Sequence, residues 1–270
     1  MSTRLDAAVA ARGLARSRTQ AAQLIEAGLV SVGGRPVVKP SAKVDDGDVI
    51  EVAASDHYVS RAAHKLVAGL DAFQVAVEGR LALDMGASTG GFTQVLRERG
   101  ADPVIAVDVG HGQLSPAVAA DAGVVSVEGF NVRYMTAASL AEASGIAAQP
   151  QIITGDLSFI SLAHVLPAVA AVADPACEIV LLVKPQFEVG RTGVREGLVT
   201  DPAARADATT SVLWSAWDAG LGTFGVIASP IAGTHGNREF VAHLRPRRSA
   251  GDLGNPTEWL STVNRLAGEG

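Results

Sequence analysis

The strongest constraint on the fold is an alternation of short apolar segments and helical segments from about residue 75 to the end of the chain. Seven apolar segments have the length of strands, and stretches with helical periodicity separate most of them. This order is typical of α/β folds, in which a helix returns the chain between parallel strands. The strand candidates are RLALDM, PVIAVDVG, GVVSVE, PQIITGDLS, EIVLLVKP, TFGVIASP and REFVAHLR.

The last two strand candidates are joined by IAGTHGN without a helix between them. The pattern therefore predicts a mostly parallel sheet with an antiparallel strand joining at the end. Ligands bind such sheets at the carboxyl ends of the strands. Burying unpaired charges is costly, so ionisable residues at these ends are expected to face a polar cleft. Those residues are Asp84, Asp108, Asp156 and Lys184.

A glycine-rich turn, DMGASTGGF, follows the first of these strands. It lacks the second glycine of a dinucleotide fingerprint and the Gly-Lys-Ser/Thr of a P-loop. Asp84 beside small residues suits a zwitterionic amino acid, and Asp108 can accept both hydroxyls of a ribose. The pattern favours S-adenosylmethionine over NAD. The predicted contacts are Asp84, Gly86, Ala87, Ser88, Thr89, Gly90, Gly91, Phe92, Asp108, Val109, Asp156 and Leu157.

Three more residues are candidates for the reaction itself. In LLVKPQFE a buried strand leads to Lys184, where a partly desolvated amine can act as a base or activate a hydroxyl. Glu239, in GNREF, taken alone is an edge-strand surface charge. Lys65 precedes a helical apolar series, where a lone lysine is usually a solvated charge.

The N-terminal residues differ in charge from the rest of the chain. Residues 1–44 carry a net charge of +5, although the whole chain carries −6. This asymmetry suggests a basic attachment module on an acidic body. No aromatic stacking platform accompanies the cations, so backbone and shape recognition of structured RNA is favoured. The cations expected to contact RNA are Arg4, Arg12, Arg16, Arg18, Arg35 and Lys39, with Lys43 in the same basic segment.

Several classes of protein are disfavoured. The single cysteine, Cys177, rules out an internal disulfide framework and fits a reducing cytosol. The six histidines show no metal-ligand spacing, so no metal is predicted. The N-terminus lacks the apolar core of a signal peptide, and the longest uncharged run contains Ser158, Ser161, His164 and Pro167. A cytoplasmic protein is expected.

Two sets of segments resemble known families. RLDAAVAARGLARSRTQAAQLIEAGLVSVGGRPV and GDVIEV resemble the ribosomal S4-type RNA-binding domain. VSRAAHKL, DMGASTGGFT, DLSFISL, VKPQFEVG and GNREF resemble the FtsJ-like ribose methyltransferases. With both sets, the whole chain resembles the TlyA family of rRNA (cytidine-2′-O)-methyltransferases, which are also called hemolysins.

The resemblance implies a site, a fold and a partner. The catalytic tetrad would be Lys65, Asp156, Lys184 and Glu239, with S-adenosylmethionine as cofactor. The fold would be α/β, a Rossmann-like seven-stranded methyltransferase sheet with a small N-terminal α+β RNA-binding domain. The division would be residues 1–53 for RNA binding, 54–64 as linker and 65–270 for methyl transfer. The expected partner is rRNA of the 16S or 23S type in ribosomal subunits, with no DNA, no stable membrane association and a monomeric state.

Three alternative functions stay open from the residues alone. They are a membrane-active lytic protein without an enzymatic role, an RNA-binding module fused to an NAD-dependent enzyme, and an RNA-binding factor with a decayed site. The absence of a strongly basic amphipathic helix disfavours the first. The glycine spacing after Gly86 disfavours the second, and the intact set of four tetrad residues disfavours the third.

Overall fold

The chain forms two compact units, Met1–Arg61 and Ala62–Gly270. The computed structural model describes residues 2–15, 17–26, 28–52, 57–190, 196–233, 236–247 and 254–268. Each unit has its own buried apolar cluster, as expected of a unit that folds around its own core.

The N-terminal unit combines two helices with short strands. Its elements are β1 (Thr3–Arg4), α1 (Leu5–Ala11), α2 (Arg18–Glu26), β2 (Val30–Val32), β3 (Arg35–Pro36), β4 (Lys43–Val44) and β5 (Ile50–Val52). β1 pairs with β4, and β2 pairs with both β3 and β5, all antiparallel. The two helices pack together through Leu5, Val9, Ala21 and Ile25, which are fully buried.

The Ser17 side chain caps the start of α2. The Ser17 hydroxyl accepts the backbone N–H of Gln20 at 3.1 Å, which satisfies one of the unpaired donors of the first turn.

The larger unit is an α/β domain. Its strands are β6 (Ala82–Met85), β7 (Val104–Asp108), β8 (Val124–Glu128), β9 (Ile152–Gly155), β10 (Glu178–Val183), β11 (Leu221–Ala228) and β12 (Phe240–Pro246). Its α-helices are α3 (Ala63–Ala72), α4 (Gly91–Glu98), α5 (Pro116–Ala119), α6 (Ala137–Ser144), α7 (Leu166–Val172), α8 (Pro185–Glu188), α9 (Pro202–Asp218) and α10 (Leu260–Gly268). Short 3₁₀ helices occupy Val132–Tyr134, Leu162–His164 and Pro256–Trp259.

The seven strands form one sheet in the order β11-β12-β10-β9-β6-β7-β8. Strands β6 to β10 pair in parallel, and β12 is antiparallel to both of its neighbours. All seven predicted strands are present. The antiparallel strand nevertheless does not extend the sheet at its edge, because β12 inserts between β10 and β11. The insertion gives β10 a paired strand on each side. The apolar runs of the central strands are almost fully buried, so both faces of these strands are covered.

Candidate active site

The register of the sheet brings the predicted residues together in two groups. Both groups lie at the side of the sheet where the parallel strands have their carboxyl ends, which is called the sheet edge below. Met85 pairs with both Val107 and Gly155, so the residues that follow these three lie level with one another. They are Gly86, Asp108 and Asp156. Phe240 pairs with both Val183 and Ala228, so a second group lies level where β10, β11 and β12 meet. It consists of Lys184, Glu239 and Ser229.

A cavity of about 560 Å³ opens at the first group. Its volume lies within the range of small-molecule sites. Six predicted cofactor contacts line it, namely Gly86, Ser88, Asp108, Val109, Asp156 and Leu157. Gln113, Phe130, Asn131, Ser158, Phe159 and Ile160 also line it and were not predicted as contacts. Phe130 and Asn131 follow β8, which ends at Glu128, a strand end that was not considered in the prediction. Examining every strand end would have found them.

The glycine-rich turn is held tightly against neighbouring loops. Gly86 has a φ of 75°, and a Cβ there would lie 3.1 Å from the Leu157 side chain and 3.2 Å from the Asp156 carbonyl oxygen. A side chain at this position would therefore force the two loops apart. Ser88 has a φ of 49°, in the left-handed region, and its N–H donates to Asp108 Oδ2 at 2.9 Å.

The Asp108 carboxylate is fixed by backbone donors. In addition to the bond from Ser88, the N–H of Gly110 donates to Oδ1 at 2.8 Å. Each carboxylate oxygen can accept a further hydrogen bond. Asp108 therefore presents an oriented acceptor to the cavity, the chemistry required to bind a ribose diol.

Asp84 does not line the cavity. It is fully buried and accepts the hydroxyl of Thr93 at 2.7 Å and that of Thr154 at 3.1 Å. Burial raises the pKa of Asp84 to about 6, because the hydroxyl bonds only partly offset the loss of hydration. Asp84 thus supports the turn from behind. Five other predicted contacts also shape the turn or the start of α4 without lining the cavity, namely Ala87, Thr89, Gly90, Gly91 and Phe92.

Lys184 and Asp156 form a close ion pair at this sheet edge. The Lys184 Nζ lies 2.5 Å from Asp156 Oδ1 and donates to the Ser158 hydroxyl at 2.9 Å. The side chains of the pair are 10% and 18% exposed. Because Asp156 and Ser158 line the cavity, the ammonium group is anchored beside the space where a cofactor would bind.

Lys65 and Glu239 form a second pair, which is more deeply buried. The Lys65 Nζ lies 2.5 Å from Glu239 Oε2, and the amide of Gln186 donates to Oε1 at 3.2 Å. A Cβ at Gly233 would lie only 2.0 Å from Oε1, so this position must lack a side chain. Taken alone in the sequence, Lys65 was interpreted as a solvated charge and Glu239 as a surface charge. Both interpretations are wrong, because the two residues are only 5% and 4% exposed.

Glu188 joins the segment after Lys184 to the loop after Asp156. Its carboxylate accepts the Ser161 hydroxyl at 2.6 Å and the Leu162 N–H at 2.9 Å, and burial raises its pKa. Neither Gln186 nor Glu188 was predicted to have a role. Both lie in the VKPQFEVG segment that carries Lys184, so the motif itself was the available signal.

The basic residues of the N-terminal unit are partly engaged within it. Asp6 accepts Arg4 Nη2 at 2.8 Å and lies 3.2 Å from Arg18 Nε. These contacts hold the pKa of Asp6 at about 2, and the hydrogen bond from Arg4 is the largest cause. Asp6 is thus a structural residue of α1, and Arg18, one of the cations expected to contact RNA, is partly neutralised by it.

The remaining cations of this unit differ in their contacts. Arg12 donates to the carbonyl oxygens of Asp45, Asp46 and Asp48. Three other cations are exposed and form no ion pair with any described residue, namely Arg35, Lys39 and Lys43. Arg16 lies outside the described residues.

Cys177 and the acidic and histidine side chains provide no further centre in the described ranges. Cys177 is buried, and burial raises the pKa of its thiol, which suppresses the nucleophilic thiolate. No group of three or more His, Cys, Asp or Glu residues with metal-binding geometry occurs among the described residues. Within the same part of the chain, no helix has both the length and the apolar character needed to cross a membrane.

Comparison with known proteins identifies a family for each of the two units. The model of the FtsJ-like methyltransferases matches residues 58–246, and that of the S4 domain matches residues 3–50. The chain is 48% identical to the 16S/23S rRNA (cytidine-2′-O)-methyltransferase TlyA of Mycobacterium tuberculosis, over 90% of this chain and 89% of that protein. It is 37% identical to Hemolysin A of Brachyspira hyodysenteriae, over 89% and 99%.

A solved structure of a Streptococcus thermophilus protein also resembles the whole chain. It is 38% identical, with a TM-score of 0.75, and the match covers 98% of this chain and 95% of that one.

Proposed function

The chain belongs to the TlyA family of FtsJ-like methyltransferases, and we propose that it methylates the 2′-hydroxyl of a cytidine ribose in ribosomal RNA with S-adenosylmethionine. The observation that supports this most directly is the arrangement of one sheet edge. A buried lysine–carboxylate pair and a second, partly exposed one lie there with a 560 Å³ cavity, and the second pair adjoins that cavity.

The residues around the cavity fit S-adenosylmethionine. Asp108 offers an oriented carboxylate for the ribose hydroxyls. The lack of a side chain at Gly86 lets the backbone of the glycine-rich turn lie close to the loop that contains Asp156 and Leu157. Phe130 and Asn131 provide an apolar surface and a polar edge at the end of β8, as a nucleobase requires. When bound, the cofactor supplies a methyl group already activated by a sulfonium, so the protein's main task is positioning.

Lys184 is the catalytic residue of this proposal. Asp156 and Ser158 hold its Nζ at the border of the cavity, within a largely buried environment. The ammonium form can donate a hydrogen bond to the acceptor 2′-oxygen and stabilise negative charge that develops there. The amine form can accept the proton that the hydroxyl must lose as the new O–C bond forms.

Lys65 and Glu239 hold the acceptor ribose in the proposed reaction. Glu239 is fixed by Lys65 and by Gln186, which lies two residues after Lys184. This link connects the two pairs through a single short helix, α8. A rigid second pair keeps the ribose aligned, and misplacement by about 1 Å can lower a rate by about 100-fold.

The N-terminal unit supplies the RNA-binding surface. Its exposed Arg35 and Lys39 are free to contact phosphates. Arg4, Arg12 and Arg18 have partners within the unit but keep donors on extended, partly exposed side chains. Because the proposed acceptor is ribosomal RNA, we expect the reaction to take place in the cytoplasm.

The test is methyl transfer to ribosomal subunits that lack the modification. The purified chain is incubated with labelled S-adenosylmethionine and each subunit separately, and the RNA is digested and mapped by mass spectrometry. We expect label in 2′-O-methylcytidine of one or both subunits. Label on a base, or no transfer by a protein that binds the cofactor in calorimetry, would overturn the proposal.

A further inference from the structure

A second cavity, of about 440 Å³, lies at the same sheet edge beside Glu239. It is lined by the end of β11, the start of β12, the connection between them and one residue of α10. These residues are Ala228, Ser229, Ile231, Ala232, Arg238, Glu239, Phe240 and Leu266. Two backbone bonds join the described residues on either side of this connection, from Ser229 N–H to the Glu239 carbonyl oxygen at 2.9 Å and from Gly233 N–H to the Asn237 carbonyl oxygen at 2.8 Å.

Arg238 lines this cavity, and the proposed reaction does not account for its role. Its side chain is half-buried, yet it forms no hydrogen bond or ion pair with any described residue. A guanidinium group has five N–H donors, and no Arg238 nitrogen is among the buried unpaired atoms of the described residues, so its donors reach the solvent. A half-buried arginine without an acceptor among the described residues is therefore placed to bind an external one.

The surroundings of Arg238 favour an anion. The nearby Arg205 is buried and donates only to the neutral carbonyl groups of Val199, Thr200 and Ala267. Burial, and then the charge of Arg238, lower the pKa of Arg205, while Asp201 opposes this effect. The Glu239 carboxylate also lines the cavity, but Lys65 and Gln186 already occupy its two oxygens.

We infer that Arg238 and this cavity bind a phosphate group of the acceptor RNA strand, next to the ribose that is methylated. The inference rests on the proposed function. The guanidinium fork matches two phosphate oxygens. The Ser229 hydroxyl lies on the same wall, but it already donates to the Ile231 carbonyl oxygen at 2.7 Å, so Arg238 is the phosphate donor of this inference.

The position of Glu239 explains why this phosphate flanks the reacting ribose. Glu239 belongs both to the tetrad and to the wall of the cavity. In RNA the 2′-oxygen and the 3′-phosphate are attached to adjacent carbons of one ribose. A ribose held at the tetrad therefore carries a phosphate to the cavity that shares Glu239.

The test measures the salt dependence of RNA binding by the full-length chain. Arg238→Ala is compared with Arg99→Ala, a matched control whose ion pair with Asp71 is exposed and lies away from both cavities. For unmodified subunit RNA, we expect Arg238→Ala to raise the Kd about tenfold and to reduce the slope of log Kd against log salt by about 1. Arg238→Lys should keep the slope and recover part of the affinity, because it keeps the charge but not the fork.

Two further measurements separate the possible failures. The Kd for S-adenosylmethionine should be the same in all four proteins. The thermal midpoint of Arg238→Ala should not fall, because Arg238 has no partner to lose among the residues that the structure describes. An Arg238→Ala slope equal to that of Arg99→Ala would overturn the inference, even if inorganic phosphate binds the wild type. Failure of the wild type to methylate ribose would instead overturn the proposed function, and the binding slopes would still decide the role of Arg238.

Discussion

The two lysine–carboxylate pairs have the same separation but different surroundings. In both, the nitrogen and oxygen are 2.5 Å apart. The side chains of Lys65 and Glu239 are 7% and 2% exposed, whereas those of Lys184 and Asp156 are 10% and 18% exposed. Only the second pair adjoins the larger cavity. The same charge pair is thus closed off from the larger cavity in one place and open to it in the other, and the proposed function assigns the reactive lysine to the open pair.

The first test of this difference removes the reactive lysine. Lys184→Ala should lower the rate of methyl transfer by about 10²- to 10⁴-fold, because the group that orients or deprotonates the hydroxyl is lost. Cofactor binding should survive, since Lys184 is not among the residues that line the cavity. Single-turnover methyl transfer and calorimetry measure the two effects. Unchanged turnover would refute the role of Lys184.

The second test breaks the buried ion pair between Lys65 and Glu239. Lys65→Met should lower the free energy of unfolding by about 3–5 kcal/mol, because Glu239 is left charged and unpaired in a buried site. Adding Glu239→Gln should restore most of this stability, since the uncompensated charge is removed, but not activity. Urea unfolding of both single variants and the double variant measures the coupling. Full additivity of the two changes would show that the pair does not act as a unit.

The third test concerns Asp84, a buried carboxyl group with hydroxyl partners and no lysine. Its folded pKa of about 6 lies above its ordinary value, so the stability gained from the neutral form is present at low pH and lost as the pH rises through about 6. Asp84→Asn cannot ionise, so at pH 8 it should be more stable than the wild type by about 2 kcal/mol. At pH 4 the difference should disappear. Thermal unfolding across this pH range measures the effect, and a constant difference would contradict the raised pKa.

The fourth test is in the N-terminal unit, where the corresponding charge pairs are partly exposed. The folded pKa of Asp6 is depressed to about 2, so its contribution is present above its ordinary pKa and lost as the pH falls from about 4 to about 2. Asp6→Asn should destabilise this unit by about 1 kcal/mol at pH 7, a small effect because Arg4 and Arg18 are exposed enough to be screened. Amide exchange in α1 measures it. An equal loss at pH 2 would exclude an electrostatic cause.

Strand positions were predictable because each strand is an apolar run that must be buried on both faces. The seven strands and the residues at their ends followed from this pattern. The position of β12 did not, because a short connection between two strands allows either an edge or an inserted position. The inserted position places Glu239 between β10 and β11 and buries it, whereas an edge position would have left it in water.

The sequence by itself determined the α/β class and the glycine-rich turn, since these depend on local periodicity and on residues at strand ends. Lys65 and Glu239 became tetrad candidates only through the family resemblance. Only the tertiary structure decided what each charge contacts. It placed Asp84 behind the turn, paired Lys65 with a residue 174 positions away and left Arg238 without a partner among the described residues. Burial and pairing arise from contacts between distant segments, and the local sequence does not contain them.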